Sequence, residues 1–296
     1  MKDEPGNITL NIPDNFNLQG AKLETITQAL AYRGIVNRHN LPPRIATTNN
    51  LEKIRTALEE YQDTQETDKT IWKSIGKCTI HLRAQQFFFK VIHNTPMVGG
   101  VWANIPGYKG RGDCNRCNTQ ESMEHILTVC EVSPAKLVWD LAKDMWPHNL
   151  DKWPGISLGI ILGSGCLVTK EDAQEGNDNR DNSKKKSSMD RLLQILISEA
   201  THLIWVLRCK RVIQEQTHSP QEVKVRWLKV INRHLTDDKI IVLQIKRSKP
   251  FTQLVEVTWE GLLRKYSDLP YKWILICEVL VGSRLDLAWP TEGLEI

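Results

Sequence analysis

Four metal-ligating side chains crowd one short stretch and constrain this chain more than any other feature. Cys114, Cys117, His125 and Cys130 form the pattern Cys-x2-Cys-x7-His-x4-Cys. Two cysteines bracketing two residues can point both thiolates into one tight turn, and the histidine and third cysteine follow at distances that complete a tetrahedron. Thr119 is placed to cap a helix from about Gln120, which would carry His125 inward and deliver Cys130 near its end. Four protein ligands leave no open position for water, so the expected ion is one structural zinc that fixes a fold and does no chemistry itself. Buried structural thiols are the competing reading. The convergence of three cysteines and a histidine within seventeen residues favours zinc.

The other cysteines, Cys78, Cys166, Cys209 and Cys277, are scattered through apolar or helical contexts, which suits reduced core thiols better than a disulfide framework. No span approaches the ~20 continuous apolar residues of a membrane helix. Met1-Lys-Asp-Glu-Pro-Gly6 has no signal-peptide core. An intracellular protein with no membrane partner is therefore expected. A chain of 296 residues, 41% hydrophobic and 25% charged, is long enough for two ordinary globular domains.

The expected fold is mainly α, in two helical parts. Residues 1–18 read as an extended arm and 19–168 as a helical domain containing the zinc site. Residues 169–188 read as a disordered linker and 189–296 as a C-terminal helical part. Within the first part, apolar residues Leu23, Ile26, Leu30 and Tyr32 or Ile35 recur at helical spacing until Pro42-Pro43 forbids continuation. Asn49 and Glu52 resemble a capping box opening a helix with Leu51, Ile54 and Leu58 on its apolar face. Ser133-Pro134 starts a further helix, and Ile156 to Val168 reads as a short strand or an irregular buried segment. The linker assignment rests on Lys170 to Ser188, where nothing apolar is larger than Ala173. Beyond it, Leu192, Leu193, Leu196, Ile197, Ala200, Leu203, Ile204 and Leu207 nearly surround one helix axis, making it the core of the second part. His202 and Cys209 on that helix read as packed. Ser219-Pro220-Gln-Glu222 is a strong helix start, Thr236-Asp237-Asp238 reads as another, and a last helix spans about Thr252 to Tyr266.

The net charge of +4 is too small to name a partner, but its distribution is uneven. Lys69, Lys73, Lys77, Arg83, Lys90, Lys109, Arg111 and Arg116 face a single acid, Asp113, between residues 69 and 116. Trp72, Phe87-Phe88-Phe89, Trp102 and Tyr108 are interleaved with them, so cations for phosphates and rings for bases occur together. Helical spacing assigns most of these rings to the core, with Leu82, Phe89 and Ile92 on one face and Gln86 and Lys90 on the other. A second basic tract, including Arg226, Lys229 and Arg233, lies on one helical face.

The block from Trp102-Ala-Asn-Ile-Pro-Gly-Tyr108 through Cys114-x2-Cys117, Met123-Glu-His-Ile-Leu127 and Cys130 to Trp139 resembles the zinc-binding domain downstream of reverse transcriptase in non-LTR retrotransposons. Asn17-Leu-Gln-Gly20-Ala-Lys-Leu23 and Thr27-Gln-Ala-Leu-Ala-Tyr32 look like the segment that follows ribonuclease H in fungal members of these polyproteins. Leu192-Leu-Gln-Ile-Leu-Ile-Ser-Glu199 and Ile204-Trp-Val-Leu-Arg208 look like their helical tail. The sequence contains no Tyr-x-Asp-Asp polymerase motif and no ribonuclease H set of four carboxylates. The resemblance thus implies a detached C-terminal piece that is not an enzyme and that contacts RNA or DNA, chiefly through phosphates.

A helical scaffold with a protein partner and a purely structural zinc is the alternative. A remnant with nuclease activity is the third reading. It would need Asp140 and Asp144, one helical turn apart, to share Mg2+ without a third acid, or Glu124 to act as base on a zinc that has no open position.

Overall fold

The computed structural model describes residues 26–38, 43–114, 117–130, 134–147, 153–169, 180–244, 249–263, 269, 273–275 and 281. The expected arm, residues 1–18, lies outside them. The chain divides into two units, Met1–Pro43 and Arg44–Ile296. The described part of the first is helix α1, Gln28–Arg38, on which Leu30, Tyr32, Ile35 and Val36 are exposed.

The second unit is mainly α, as its periodicities require, with one two-stranded hairpin. Helix α2, Ile45–Gln62, buries Leu51, Ile54 and Leu58, the expected face, and stops where Asp63 turns left-handed at φ 56°. It begins four residues before Asn49, after Arg44, so Asn49 lies inside it, and the next residue, Asn50, donates its side-chain amide to the Val91 and Ile92 carbonyls at 3.1 Å each, at the end of a neighbouring helix. Thr67 caps α3, Asp68–Ile75, accepting from the Thr70 amide. Helix α4, Leu82–Ile92, buries Phe87, Phe88, Val91 and Ile92. Its outer face differs from expectation, because Leu82 and Phe89 are 68% and 53% exposed.

Helix α5, Pro134–Asp144, starts at the expected proline. The glycine-interrupted run that follows is buried, as expected, but is helical instead of extended: Leu158–Leu162 forms α6, capped by Ser157, and Ser164–Cys166 forms a 3-10 turn. Helix α6 lies against α2 so closely that a Cβ on Gly159 would stand 2.3 Å from the Lys53 carbonyl oxygen, so only glycine permits the approach.

The centre of the unit is α7, Arg180–Gln214, which packs against α4, α5, α8 (Pro220–Gln244) and α9 (Lys249–Glu260). Its all-round apolar pattern is explained by burial on every side. By length and composition its Lys184–Gln214 stretch could cross a membrane, but 78% of the qualifying window is buried within the protein. Each fully buried Leu or Ile contributes about 1.5–3 kcal/mol, and Leu193, Ile195, Leu196 and Ile197 are wholly buried.

The linker expected over 169–188 requires correction. Residues 180–188 are the first turns of α7, with Ser188 buried; 170–179 lie outside the described residues. The chain is fastened to α7 just before this gap, where Asp190 accepts from the Thr169 amide at 2.6 Å and hydroxyl at 2.7 Å. One apolar core runs from Leu51 to Val281, through both expected parts. Lys184, Lys185 and Ser187 are exposed, so the lack of large apolar residues there did not distinguish a solvated helix turn from a coil.

Ser219 caps α8, accepting from the Glu222 amide at 3.2 Å. The second start expected at Thr236 does not occur. Its hydroxyl donates to the Asn232 carbonyl at 2.9 Å, inside the continuous helix. Asp238 is instead buried between Arg191 Nη2 at 2.6 Å and Trp259 Nε1 at 2.7 Å, tying α7, α8 and α9 together.

Candidate metal centre

The hairpin builds the first half of the centre. Strand β1, Asp113–Cys114, pairs antiparallel with β2, Thr119–Gln120. The Asn118 amide donates to the Cys114 carbonyl at 2.8 Å, and Asn118 is left-handed at φ 51°, a conformation asparagine tolerates better than most residues. Thr119 is thus in a strand and, contrary to the expectation from sequence, does not cap the next helix. Ser122 does, accepting from the His125 amide at 3.0 Å.

The second half depends on an unusual turn. Residues His125–Val129 form a π-helix closed by the Cys130 amide donating to the His125 carbonyl at 2.9 Å. An α-helix, at 3.6 residues per turn, would put residues five apart on different faces, whereas the i→i+5 closure brings them nearly into line. That widening lets His125 and Cys130 serve one centre.

All four ligand atoms lie within 4.8 Å of one another. Cys130 Sγ is 3.8 Å from Cys114 Sγ and 3.4 Å from Cys117 Sγ. Metal–sulfur arms of ~2.3 Å give a tetrahedron edges of about 3.8 Å, so the sulfurs are spaced for a shared ion. None of the three is disulfide-bonded. His125 Nε2 is buried with no hydrogen-bond partner among the described residues, the state of a nitrogen whose lone pair is left for a cation. Burial pushes the Cys130 thiol up to about 12, with the Cys117 and Cys114 sulfurs adding to the effect. Three thiolates at such spacing therefore need a bound cation to ionise together. The chemistry of the donor set fits a metal ion.

Sequence reading missed how the centre is anchored. Glu121, next to β2 and 3% exposed, accepts from Arg208 Nε at 2.9 Å, from Arg208 Nη2, and from Arg211 Nη2 at 2.8 Å. One buried carboxylate thereby straps the hairpin to α7. Its signal was Arg208 and Arg211, three apart on the apolar-patterned part of α7, which demand an acid from elsewhere once buried. Glu121 also donates its amide to the Gly112 carbonyl at 2.9 Å. Close by, Gly99 turns at φ 55°, and a Cβ there would meet the Glu121 carbonyl at 2.3 Å. Trp139 Nε1 donates to the Leu127 carbonyl at 2.8 Å, joining the π-turn to α5.

The basic residues separate into distinct environments. Lys69, Lys73, Lys90 and Lys109 are exposed, while Lys77 Nζ donates to the Gly165 carbonyl at 2.7 Å and is thus engaged in the fold. Arg83 is half-buried. The Arg111 guanidinium lies 4.5 Å from the Tyr108 ring and 5.5 Å from the Trp102 ring. Arg116 lies outside the described residues. Lys69, Lys73 and Lys90 flank a surface group of rings: Trp72 is 5.8 Å from Phe89 and stacks on His93 at 5.2 Å, and Phe89 meets His93 edge-on at 4.5 Å. In the second tract Lys229 and Arg233 are exposed, but Arg226 Nη2 is paired with Glu222 at 2.7 Å. Asp140 and Asp144 are both exposed on α5. No family model, curated protein or solved structure matches this chain.

Proposed function

We propose that Cys114, Cys117, His125 and Cys130 hold one structural zinc ion and that the protein is a non-catalytic nucleic-acid-binding module of the kind found downstream of reverse transcriptase in non-LTR retrotransposons. Three thiolates and an imidazole suit zinc, and four protein ligands close its coordination shell. The observation that carries the binding reading is Phe89. This large ring is 53% exposed although it meets Trp72 and His93, and the exposed Lys69, Lys73 and Lys90 lie on the same two helices. Rings on which bases stack, set among cations that meet phosphates, suit a single strand without sequence preference. Arg111, held over Tyr108 and Trp102, extends the cationic surface towards the metal hairpin.

The test is a fluorescence-anisotropy titration of the full, zinc-loaded chain with single-stranded RNA, an RNA–DNA hybrid and duplex DNA at two salt concentrations, with Mg2+ present and products run on a gel. Single-strand binding that weakens with salt, and weakens about 5–150-fold in Phe89→Ala for loss of one ~1–3 kcal/mol base stack, supports the module. Absence of binding leaves the helical scaffold with a protein partner, and cleavage of any strand overturns the non-catalytic reading.

A further inference from the structure

A second cluster of metal-ligating groups lies away from the cysteines. His81 precedes α4, Glu199 lies in the middle of α7, and His234 lies on α8. Their side chains are 17%, 1% and 2% exposed. His81 Nδ1 is 2.5 Å and His234 Nδ1 2.9 Å from the same oxygen, Glu199 Oε1. The two imidazoles stack at 4.1 Å with 28° between their planes. The other nitrogen of His81, Nε2, is 3.0 Å from Asp237 Oδ2.

Protons alone satisfy this arrangement poorly. His81 lies between two carboxylates and needs hydrogens on both nitrogens to meet them. Both nitrogens are buried and neither forms an in-line hydrogen bond among the described residues. His234 must also offer Nδ1–H to the oxygen that His81 approaches, through a ring stacked on a second cationic one. Arg83 and His202 add positive or protonatable groups from α4 and α7. One ligand atom from each of His81, Glu199 and His234 lies within 4.8 Å of the others, the closeness that ligands of one ion require.

We propose that His81 Nδ1, His234 Nδ1 and Glu199 Oε1 form a second cation site, for a divalent transition ion of the zinc, cobalt or nickel type. Two imidazoles and one carboxylate select this class, whereas magnesium and calcium take oxygen shells. On entry, the ion replaces the Nδ1 protons, which leave to solvent, and the neutral rings donate their lone pairs. Metal–nitrogen arms of ~2.1 Å place tetrahedral neighbours about 3.4 Å apart, so His81 and Glu199 separate by roughly an ångström. His81 Nε2–H then donates to Asp237, giving the carboxylate–histidine–metal relay that orients ligating histidines. Three protein ligands leave the fourth position to water, in contrast to the closed cysteine centre. The site joins α4, α7 and α8 and is independent of the zinc assignment above.

The experiment is a Co2+ titration of the full chain, read by visible and near-ultraviolet absorption and by bound metal per chain. Thiolate ligation gives an intense near-ultraviolet charge-transfer band; a histidine–carboxylate site gives visible ligand-field bands without one. Two ions per chain are expected. His81→Gln, altering the most exposed of the three ligands, should bind one ion with the thiolate band unchanged and far-ultraviolet circular dichroism as in the parent. Asp237→Asn should keep the second ion but weaken it about 10–100-fold. One ion per parent chain, or a second ion retained at full affinity in His81→Gln, overturns the proposal. Loss of the thiolate band with the visible bands intact would instead count against the cysteine centre, so the two failures are distinguishable.

Discussion

The two clusters of ligands are built in opposite ways. The cysteine centre draws its groups from residues 114–130, through a hairpin and one π-turn, and its sulfurs sit at the edge lengths of a tetrahedron. The His81–Glu199–His234 cluster draws on positions up to 153 residues apart and exists only because α4, α7 and α8 pack together. An ion at the first would stabilise a local loop, while the second is organised by the core around it. Local ligands leave a spacing in the sequence; assembled ligands leave none.

Removing the metal should therefore act very differently at the two places. Cys130→Ser, or chelation of the loaded protein, is expected to remove folding free energy on the order of 10 kcal/mol if zinc is the ion. The measurement is metal content together with thermal unfolding, and an unchanged melting temperature with unchanged metal would refute the site. Next in size is Glu121→Gln, which leaves Arg208 and Arg211 buried against a neutral amide. Breaking a buried pair from one side costs about 3–5 kcal/mol, measurable as a lower urea midpoint with an unchanged slope. A comparable loss in Arg208→Met,Glu121→Leu would show that the cost lies in losing the strap, not in stranding charge.

The assembled cluster has its own signature in pH. Burial pushes the Glu199 carboxyl up, but the hydrogen bond with His234 and the ion pair with His81 outweigh it and hold the group at about 2. A carboxyl depressed in the folded state stabilises the protein above its unfolded value, near 4.5, and loses that contribution as pH falls to about 2. In metal-stripped protein, stability measured by urea unfolding should decline across that window, and Glu199→Gln should flatten the decline. An equal slope in parent and variant would break the assignment. The Glu199 carboxylate against its Nδ1 raises His81 against its burial, so the His81 contribution runs the other way: present below about 6.5 and lost as pH rises through the raised value. The smallest effect is expected at the rim of the cysteine centre. Lys53 Nζ lies 3.2 Å from Glu124, both about half exposed, so Lys53→Ala should cost below ~1 kcal/mol and less in high salt.

How legible each element was follows the same division. The apolar faces of α2 and α7 and the Ser219 start of α8 could be read because the informative residues are three or four apart. The false starts at Asn49 and Thr236 used the same signals, but both residues lie inside helices that begin earlier, and Asp238 is engaged by Trp259, more than twenty positions away. Phe89 follows the helical period of its neighbours yet is 53% exposed, because Trp72 and His93 meet only part of its ring.

The sequence by itself determined a mainly α protein and a four-ligand metal set, since both follow from short-range spacing and side-chain chemistry. Only the tertiary structure decided that α7 is the shared core of both expected halves, that Glu121 neutralises two of its arginines, and that two histidines from separate helices meet one carboxylate. Those outcomes depend on which buried charges find each other once apolar surfaces close, and burial makes that pairing obligatory without recording the partner in the local sequence.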